Sequence, residues 1–231
     1  MGVARARPVG LHFAPMNREA LLTSMYQSML ASLGESRWWP AESPFEMAVG
    51  AILTQNTNWK NVERAIDNLK TARALTPEAM ATLPSDELAA LIQPSGYFRV
   101  KAQRLKGLVT FLDQECDGDI SLLAERDLDE LRPMLLTIKG IGPETADSIL
   151  LYALGQPSFV VDAYTRRILS RHGLLPEDTH YDEVRDFFMD ALDPDPAMFN
   201  EYHALLVRVA KDFCLKKAPQ CEACPLREYL D

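Results

Sequence analysis

Residues 135–168 read LLTIKGIGPETADSILLYALGQPSFVVDAYTRRI: two helical patterns joined by the turn Lys139-Gly140-Ile141-Gly142-Pro143, then an apolar run ending at Asp162. Two glycines let the backbone bend sharply and come close to another group. Pro143 suits the first turn of the following helix. Amides at that helix start could donate to a phosphate oxygen, helped by the helix dipole. A plainer reading is a helix–helix turn with Gly as a cap. Asp162 alone reads as an N-cap. Beside a phosphate-holding hairpin, the same carboxylate could face the sugar carbon of a bound nucleotide, stabilising positive charge there or activating water.

The rest of the chain reads almost wholly helical. Apolar residues recur at three-four spacing over 18–33, 44–52 and 59–69, and further helices are expected over 76–82, 85–92, 101–115, 121–126, 127–136 and 201–213. Ser43 followed by Glu46 has capping-box spacing. No period-two strand, low-complexity linker or long internal repeat is evident, so the class is all-α with short loops. A length of 231 residues suits one large domain or two small ones. Residues 1–16 read as a loose arm. Nothing in the chain approaches the roughly 18 apolar residues of a membrane span, no signal peptide is evident, and a cytoplasmic location is expected.

A net charge of -9 and a pI near 5.0 argue against a polyanionic partner at first sight. The charge is segregated, however. Residues 95–107 hold Arg99, Lys101, Arg104 and Lys106 with no acid, and residues 163–173 add Arg166, Arg167 and Arg171. Acids crowd into 177–201, which contains DPDP and reads as a solvated outer surface. Three of the four cysteines, Cys214, Cys221 and Cys224, fall within eleven residues, a metal-like cluster and not a disulfide framework.

Together these motifs resemble the helix-hairpin-helix, Gly-Pro-Asp module of the endonuclease III superfamily of DNA glycosylases. The resemblance covers nearly the whole chain. ILTQNTNWKNVERAI is similar to the segment whose Gln fills the gap left by an extruded base, here Gln55. PSGYFRVKA is similar to the family's Gly-turn before a backbone-contacting helix, carrying Lys101. The resemblance implies a two-lobed fold, double-stranded DNA bent over the cleft between the lobes, a flipped base and a monomer. One lobe would be 36–156, a six-helix barrel with the hairpin. The other would join 17–35 to 157–231. It further implies Asp162 as the catalytic carboxylate and Lys139, Gly140, Ile141 and Gly142 as DNA contacts. Where the family's strand-cleaving members carry a Schiff-base Lys, this chain has Glu144, which cannot be that nucleophile. Hydrolysis by water, without lyase chemistry, is the expectation, with Glu144 at the pocket mouth positioning water or substrate.

Arg37-Trp38-Trp39-Pro40 and Phe45 place aromatic side chains just before the Gln55 helix. They read either as hydrophobic anchors or as a stacking wall for a cationic base. With Glu144 and LTQNT, they are most similar to the 3-methyladenine DNA glycosylases of endonuclease III type. The alternatives are a glycosylase for oxidised pyrimidines or mismatched thymine, and a non-catalytic DNA-binding module. Cys214-x6-Cys221-x2-Cys224 resembles the first three ligands of the family's [4Fe-4S] loop, with Lys216 and Lys217 facing DNA. The fourth position is Leu230, which leaves Asp231, the terminal carboxyl or water as fourth ligand. A smaller cluster, zinc or a metal-free remnant are the other readings. His203 and Lys211 read first as packing and solvent-exposed residues, the alternative being that Lys211 approaches the base pocket from the second lobe.

Overall fold

The computed structural model describes residues 17–36 and 41–230 of the protein. Among them, every regular element is helical: α1 (Arg18–Leu33), α2 (Pro44–Leu53), α3 (Trp59–Thr71), α4 (Pro77–Thr82), α5 (Ser85–Leu91), α6 (Phe98–Cys116), α7 (Leu128–Leu136), α8 (Pro143–Ser148), α9 (Ala163–Arg171), α10 (Tyr181–Met189) and α11 (Pro196–Asp212). None is long and apolar enough to cross a membrane. The starts follow local chemistry. Asn17, Ser43, Asn58, Thr76, Asp127, Asp162 and Asp195 each accept a backbone N–H from the first turn of their helix. Pro follows the cap at Pro44, Pro77 and Pro196, where the missing N–H costs nothing.

Three boundaries differ from expectation. The helix expected from residue 101 begins at Phe98, because Tyr97 takes a left-handed conformation (φ 45°) that ends the preceding turn. The expected helix at 121–126 is a 3-10 turn, Ile120–Glu125. The final helix starts at Pro196, capped by Asp195 of the DPDP stretch. Residues 177–201 are therefore not simply a solvated surface. They contain α10, which buries Val184 and Phe188, and the first turns of α11, which bury Phe199.

The helices enclose two hydrophobic cores. One is built from α2 to α8 around Ile52, Leu69, Leu105 and Leu112. The other joins α1 to α9, α10 and α11. In it the Phe159 ring stacks on Phe188 at 3.8 Å and meets Phe199 and Tyr202 edge-on, geometries that add to plain area burial. Between the cores α8 passes into a π-helical turn, Ile149–Ala153. Its Leu150 belongs to the first core, while Leu151 and Tyr152 belong to the second. The wider turn thus lets one segment serve both.

A buried ionic network also joins the two sides. Arg132 on α7 donates from Nε and Nη2 to the fully buried Asp147 on α8 (2.8 and 3.1 Å) and from Nη2 to Asp182 at the start of α10 (2.6 Å). Ser158 Oγ donates to Asp147 (2.5 Å) and accepts from Arg185 Nε (3.1 Å). A buried carboxylate with this many donors is compensated, and it fixes α8 against α10.

Candidate active site

The two cores flank a cleft of about 720 Å³, lined by Thr54 to Trp59, Glu144, Thr145, Ser148, Tyr152, Val160, Asp162, Tyr164, His203 and Lys211, among others. Asp162 reaches it as the cap of α9. Its Oδ1 accepts from Thr165 N (2.7 Å) and Thr165 Oγ1 (3.0 Å). The capping and catalytic readings of Asp162 are thus compatible: Oδ1 holds the helix while Oδ2 faces the cleft, 3.7 Å from His203 Nε2. Burial alone would raise the Asp162 carboxyl, but the His203 imidazole and the Thr165 donors outweigh it and hold the group below its usual range. Glu144, in the first turn of α8, behaves oppositely. The cleft wall strips water from its carboxyl and the Asp162 charge adds repulsion, so it is raised, while His203 and Arg166 partly offset the shift. Two carboxyls share one cleft with affinities for protons pushed apart.

Gln55, just past the end of α2, lies against the hairpin. Its Nε2 donates to Thr145 Oγ1 (2.8 Å) and to Gly140 O (3.3 Å), and its Oε1 accepts from Arg104. At Gly140 φ is +89°, and a Cβ there would lie 2.7 Å from Arg104 Cγ, so glycine is required twice over. Gly142 has an ordinary φ of -94° and open space around it; its lack of a side chain leaves room and is not forced by the backbone. The hairpin amides divide similarly. Ile141 N–H donates to Ile138 O (3.0 Å) and its side chain is buried, so it has no amide to give a phosphate. Among the described residues, Gly140 and Gly142 N–H have no acceptor. Lys139 is exposed beside them.

Other expectations change. Lys101 is 1% exposed, and its Nζ donates to Leu53 O (2.8 Å) and Ser95 O (2.7 Å). It cannot reach DNA; it ties the end of α2 to the turn before α6. Lys106 bonds three carbonyls at the end of α4. Arg166, Arg167 and Arg171 likewise hold carbonyls of Thr179, Ala210, Cys214, Leu215 and Lys216, so they brace the second core and do not form a free basic face. Phe45 is buried in the first core and does not line the cleft. Trp38, Trp39 and Asp231 lie outside the described residues. The aromatic side chains that do line the cleft are Trp59, Tyr152 and Tyr164.

His203 and Lys211, expected to serve packing and solvation, both line the cleft. His203 is buried, with Nδ1 2.5 Å from Tyr152 Oη. Among the described residues the buried side-chain polar atoms without a hydrogen-bond partner are Thr54 Oγ1 and His203 Nε2, and both residues line this one cleft. Buried polar groups are nearly always satisfied, so the cleft holds two uncommitted polar atoms, of which His203 Nε2 lies nearest Asp162 Oδ2. A further residue stands out by exposure: Tyr97, 72% exposed and with positive φ. Lys101 holds its turn beside the Gln55 loop.

Cys214 is buried against the second core, and Cys221 and Cys224 are half-buried beside it. Arg171 Nη1 donates to Cys214 Sγ at 3.2 Å. Burial raises the Cys224 thiol, and the charges of Cys214 and Cys221 raise it further. Three soft donors of the type an iron-sulfur cluster takes are therefore present in one loop. Among the described residues no three Cys, His, Asp or Glu side chains converge as a finished metal-ligand set.

A two-core helical fold with a helix-hairpin-helix beside a carboxylate-lined cleft is the architecture of base-excision glycosylases. Residues 49–194 match the model of the HhH-GPD superfamily base excision DNA repair proteins, and the chain belongs to that superfamily. It is 46% identical over 215 residues to "Putative DNA repair glycosylase MJ1434" of Methanocaldococcus jannaschii, covering 92% of this chain and 97% of that one. The structure is similar to the H. pylori 3-methyladenine DNA glycosylase MagIII bound to 1,N6-ethenoadenine, with a TM-score of 0.72, 27% identity and coverage of 85% and 98%. It also shares its fold with endonuclease III in a non-covalent DNA complex, with a TM-score of 0.78, 23% identity and coverage of 93% and 96%. The protein is thus a DNA repair glycosylase of this superfamily.

Proposed function

We propose that the protein is a monofunctional DNA glycosylase that hydrolyses the N-glycosidic bond of a flipped, alkylated purine such as 3-methyladenine. The observation that carries this reading is the pair of carboxyls in one cleft, with Glu144 at the position where strand-cleaving relatives need an amine. Asp162, held charged, opposes the positive charge that grows on the sugar as the bond breaks, or accepts a proton from the attacking water. Glu144, which holds its proton to higher pH, orients that water or the base. An alkylated purine arrives cationic with a weakened bond, and Trp59, Tyr152 and Tyr164 offer the aromatic faces such a ring prefers. The Thr54 hydroxyl supplies an unused polar contact.

Double-stranded DNA would lie across the hairpin, with the Gly140 and Gly142 amides and Lys139 on one phosphate and Gln55 filling the vacated stack. Tyr97, an exposed aromatic on the adjoining turn, is a second stacking residue for the strand. Cys214, Cys221 and Cys224 would hold three corners of a [4Fe-4S] cluster. Purified protein should then be brown and absorb near ~400 nm, and colourless, iron-free protein of full stability would count against the cluster.

The decisive experiment is a panel of lesion duplexes, with base release scored separately from strand nicking. Release of 3-methyladenine without nicking supports the assignment. Excision of oxidised pyrimidines or mismatched thymine with no alkylpurine release would overturn it, as would borohydride trapping of a covalent DNA adduct, in which case Lys211 is the amine to test.

A further inference from the structure

We infer that His203 is a positioning residue that, together with Tyr152, sets the charge and aim of Asp162. The inference rests on the proposed reading of Asp162 as the catalytic carboxylate and adds a second layer to that site. His203 sits on α11 and Asp162 at the start of α9, 41 residues earlier in the chain, so only the packing of the two helices brings them together. His203 is 6% exposed, its Nδ1 is 2.5 Å from Tyr152 Oη, and its Nε2 points at Asp162 Oδ2 from 3.7 Å with no other acceptor. A neutral imidazole donates from only one nitrogen. If the Tyr152 hydroxyl donates to Nδ1, the ring proton must sit on Nε2, facing the carboxylate. When the ring is protonated both nitrogens donate, and Nε2 still faces Asp162. In either state the tyrosine leaves one N–H aimed at Oδ2, and closing the 3.7 Å gap needs only a small shift as substrate enters. Such tightening on binding is ordinary for catalytic contacts.

The charge balance makes the contact necessary. Asp162 is half-buried, and the titratable and aromatic groups that share its cleft are Glu144 from α8, Tyr152 from the π turn, Tyr164 from α9, and His203 and Lys211 from α11, with Arg166 acting on Glu144. Glu144 repels its charge. Among the groups that hold Asp162 charged, His203 makes the largest contribution, followed by the Thr165 donors that also cap the helix. Removing the imidazole should let Asp162 take up a proton at higher pH, and a protonated Asp162 neither accepts a proton nor stabilises cationic sugar.

The test compares wild type with His203→Phe, His203→Gln and Tyr152→Phe. Single-turnover base release is followed across pH, and the Asp162 carboxyl is titrated directly by NMR of [13C]aspartate-labelled protein, its signal assigned with Asp162→Asn. His203→Phe should lower the rate at the acid end by about tenfold or more, move the acid limb to higher pH, and raise the Asp162 midpoint. Gln, which keeps an N–H near the Nε2 position, should restore most of both. Tyr152→Phe, the variant least disruptive to packing, should give the same shift to a smaller extent and covers the case in which His203→Phe does not fold. A uniform loss of rate at all pH values with an unmoved Asp162 midpoint would overturn the inference. The NMR titration needs no activity, so a wild type that releases no base refutes the functional reading while leaving the His203–Asp162 coupling open to direct measurement.

Discussion

Asp162→Asn separates the proposed catalytic role of this carboxylate from its capping role, because the two use different oxygens. The cap contacts, from Thr165 N at 2.7 Å and Thr165 Oγ1 at 3.0 Å, fall on Oδ1. Asn keeps an acceptor there, and Asn and Asp are about equal as caps, so the stability change should stay below about 0.5 kcal/mol. What Asn removes is the charge at Oδ2 that faces His203 and the cleft. A positioned group in proton transfer contributes roughly 10²- to 10⁴-fold, which is about 3–5 kcal/mol at about 1.4 kcal/mol per decade. Asp162→Ala serves as the contrast. It loses both charge and cap, and about 1 kcal/mol should appear as about 2–4 °C in Tm. The assay is single-turnover base release, with thermal unfolding and DNA binding measured on the same preparations. The expected pattern is two nearly dead variants, of which only Ala melts early. Asn retaining a rate within about threefold of wild type would refute the catalytic role. The sign of the pH effect also follows. A carboxyl held below its usual range contributes stability above the ordinary carboxylate pKa, and that contribution fades as pH falls through the lower folded value.

Three further outcomes are expected. Gly140→Ala should destabilise by about 1–2 kcal/mol from the positive φ alone, push Arg104 off Gln55, and weaken DNA binding; an unchanged denaturation midpoint would contradict the close approach seen at Arg104. Asp147→Ala leaves Arg132 and Arg185 facing a void and should cost about 3–5 kcal/mol in urea denaturation, with Arg132→Met plus Asp147→Leu recovering much of it. Burial lowers the Lys101 amine to about 8. The unfolded chain therefore binds more protons than the folded one above that value, and this residue's contribution should make stability rise with pH from about 8 towards the ordinary lysine range. Lys101→Met, compared by denaturation at pH 7 and pH 9.5, should lose that rise without changing the salt dependence of DNA binding.

How legible each feature was depended on how far apart in the chain its partners lie. The hairpin, the Asp162 cap and the Glu144 replacement are set by neighbours within a few residues, so the sequence shows them directly. The helix starts at Ser43, Asn58 and Thr76 are legible for the same reason. Lys101 was misjudged because a lysine in a basic stretch is ordinarily exposed. Its burial arises from Leu53 O, 48 residues away, and no local pattern records that. The arginines of 163–173 read as a basic face, yet the acceptors of Arg167 and Arg171 lie at the end of α11 and in the loop around Cys214, 43 to 47 residues on. Phe45 sits at an apolar position of an apolar helix, and whether such a side chain faces core or cleft is decided by the opposing helices. Even the two glycines of the hairpin, alike in sequence, divide only in three dimensions, because Arg104 packs against one and nothing packs against the other.

On the proposed reading, a carboxyl at Glu144 in place of an amine also changes the surroundings of Asp162. An amine in this cleft would lend positive charge to Asp162 and help keep it ionised. A carboxyl in the same place lends no such charge, and beside the Asp162 anion Glu144 is itself raised, after burial, by repulsion. A site built on Asp162 as an anion then draws its donors from elsewhere in the fold: Thr165 at Oδ1 and, from α11, His203 with Nε2 3.7 Å from Oδ2. On the proposed hydrolytic reading the two residues act together: Glu144 stands in place of the amine, and His203 keeps Asp162 charged. A Glu144→Lys substitution would therefore relieve the dependence on His203, and the double variant Glu144→Lys with His203→Phe should regain an acid limb close to that of wild type.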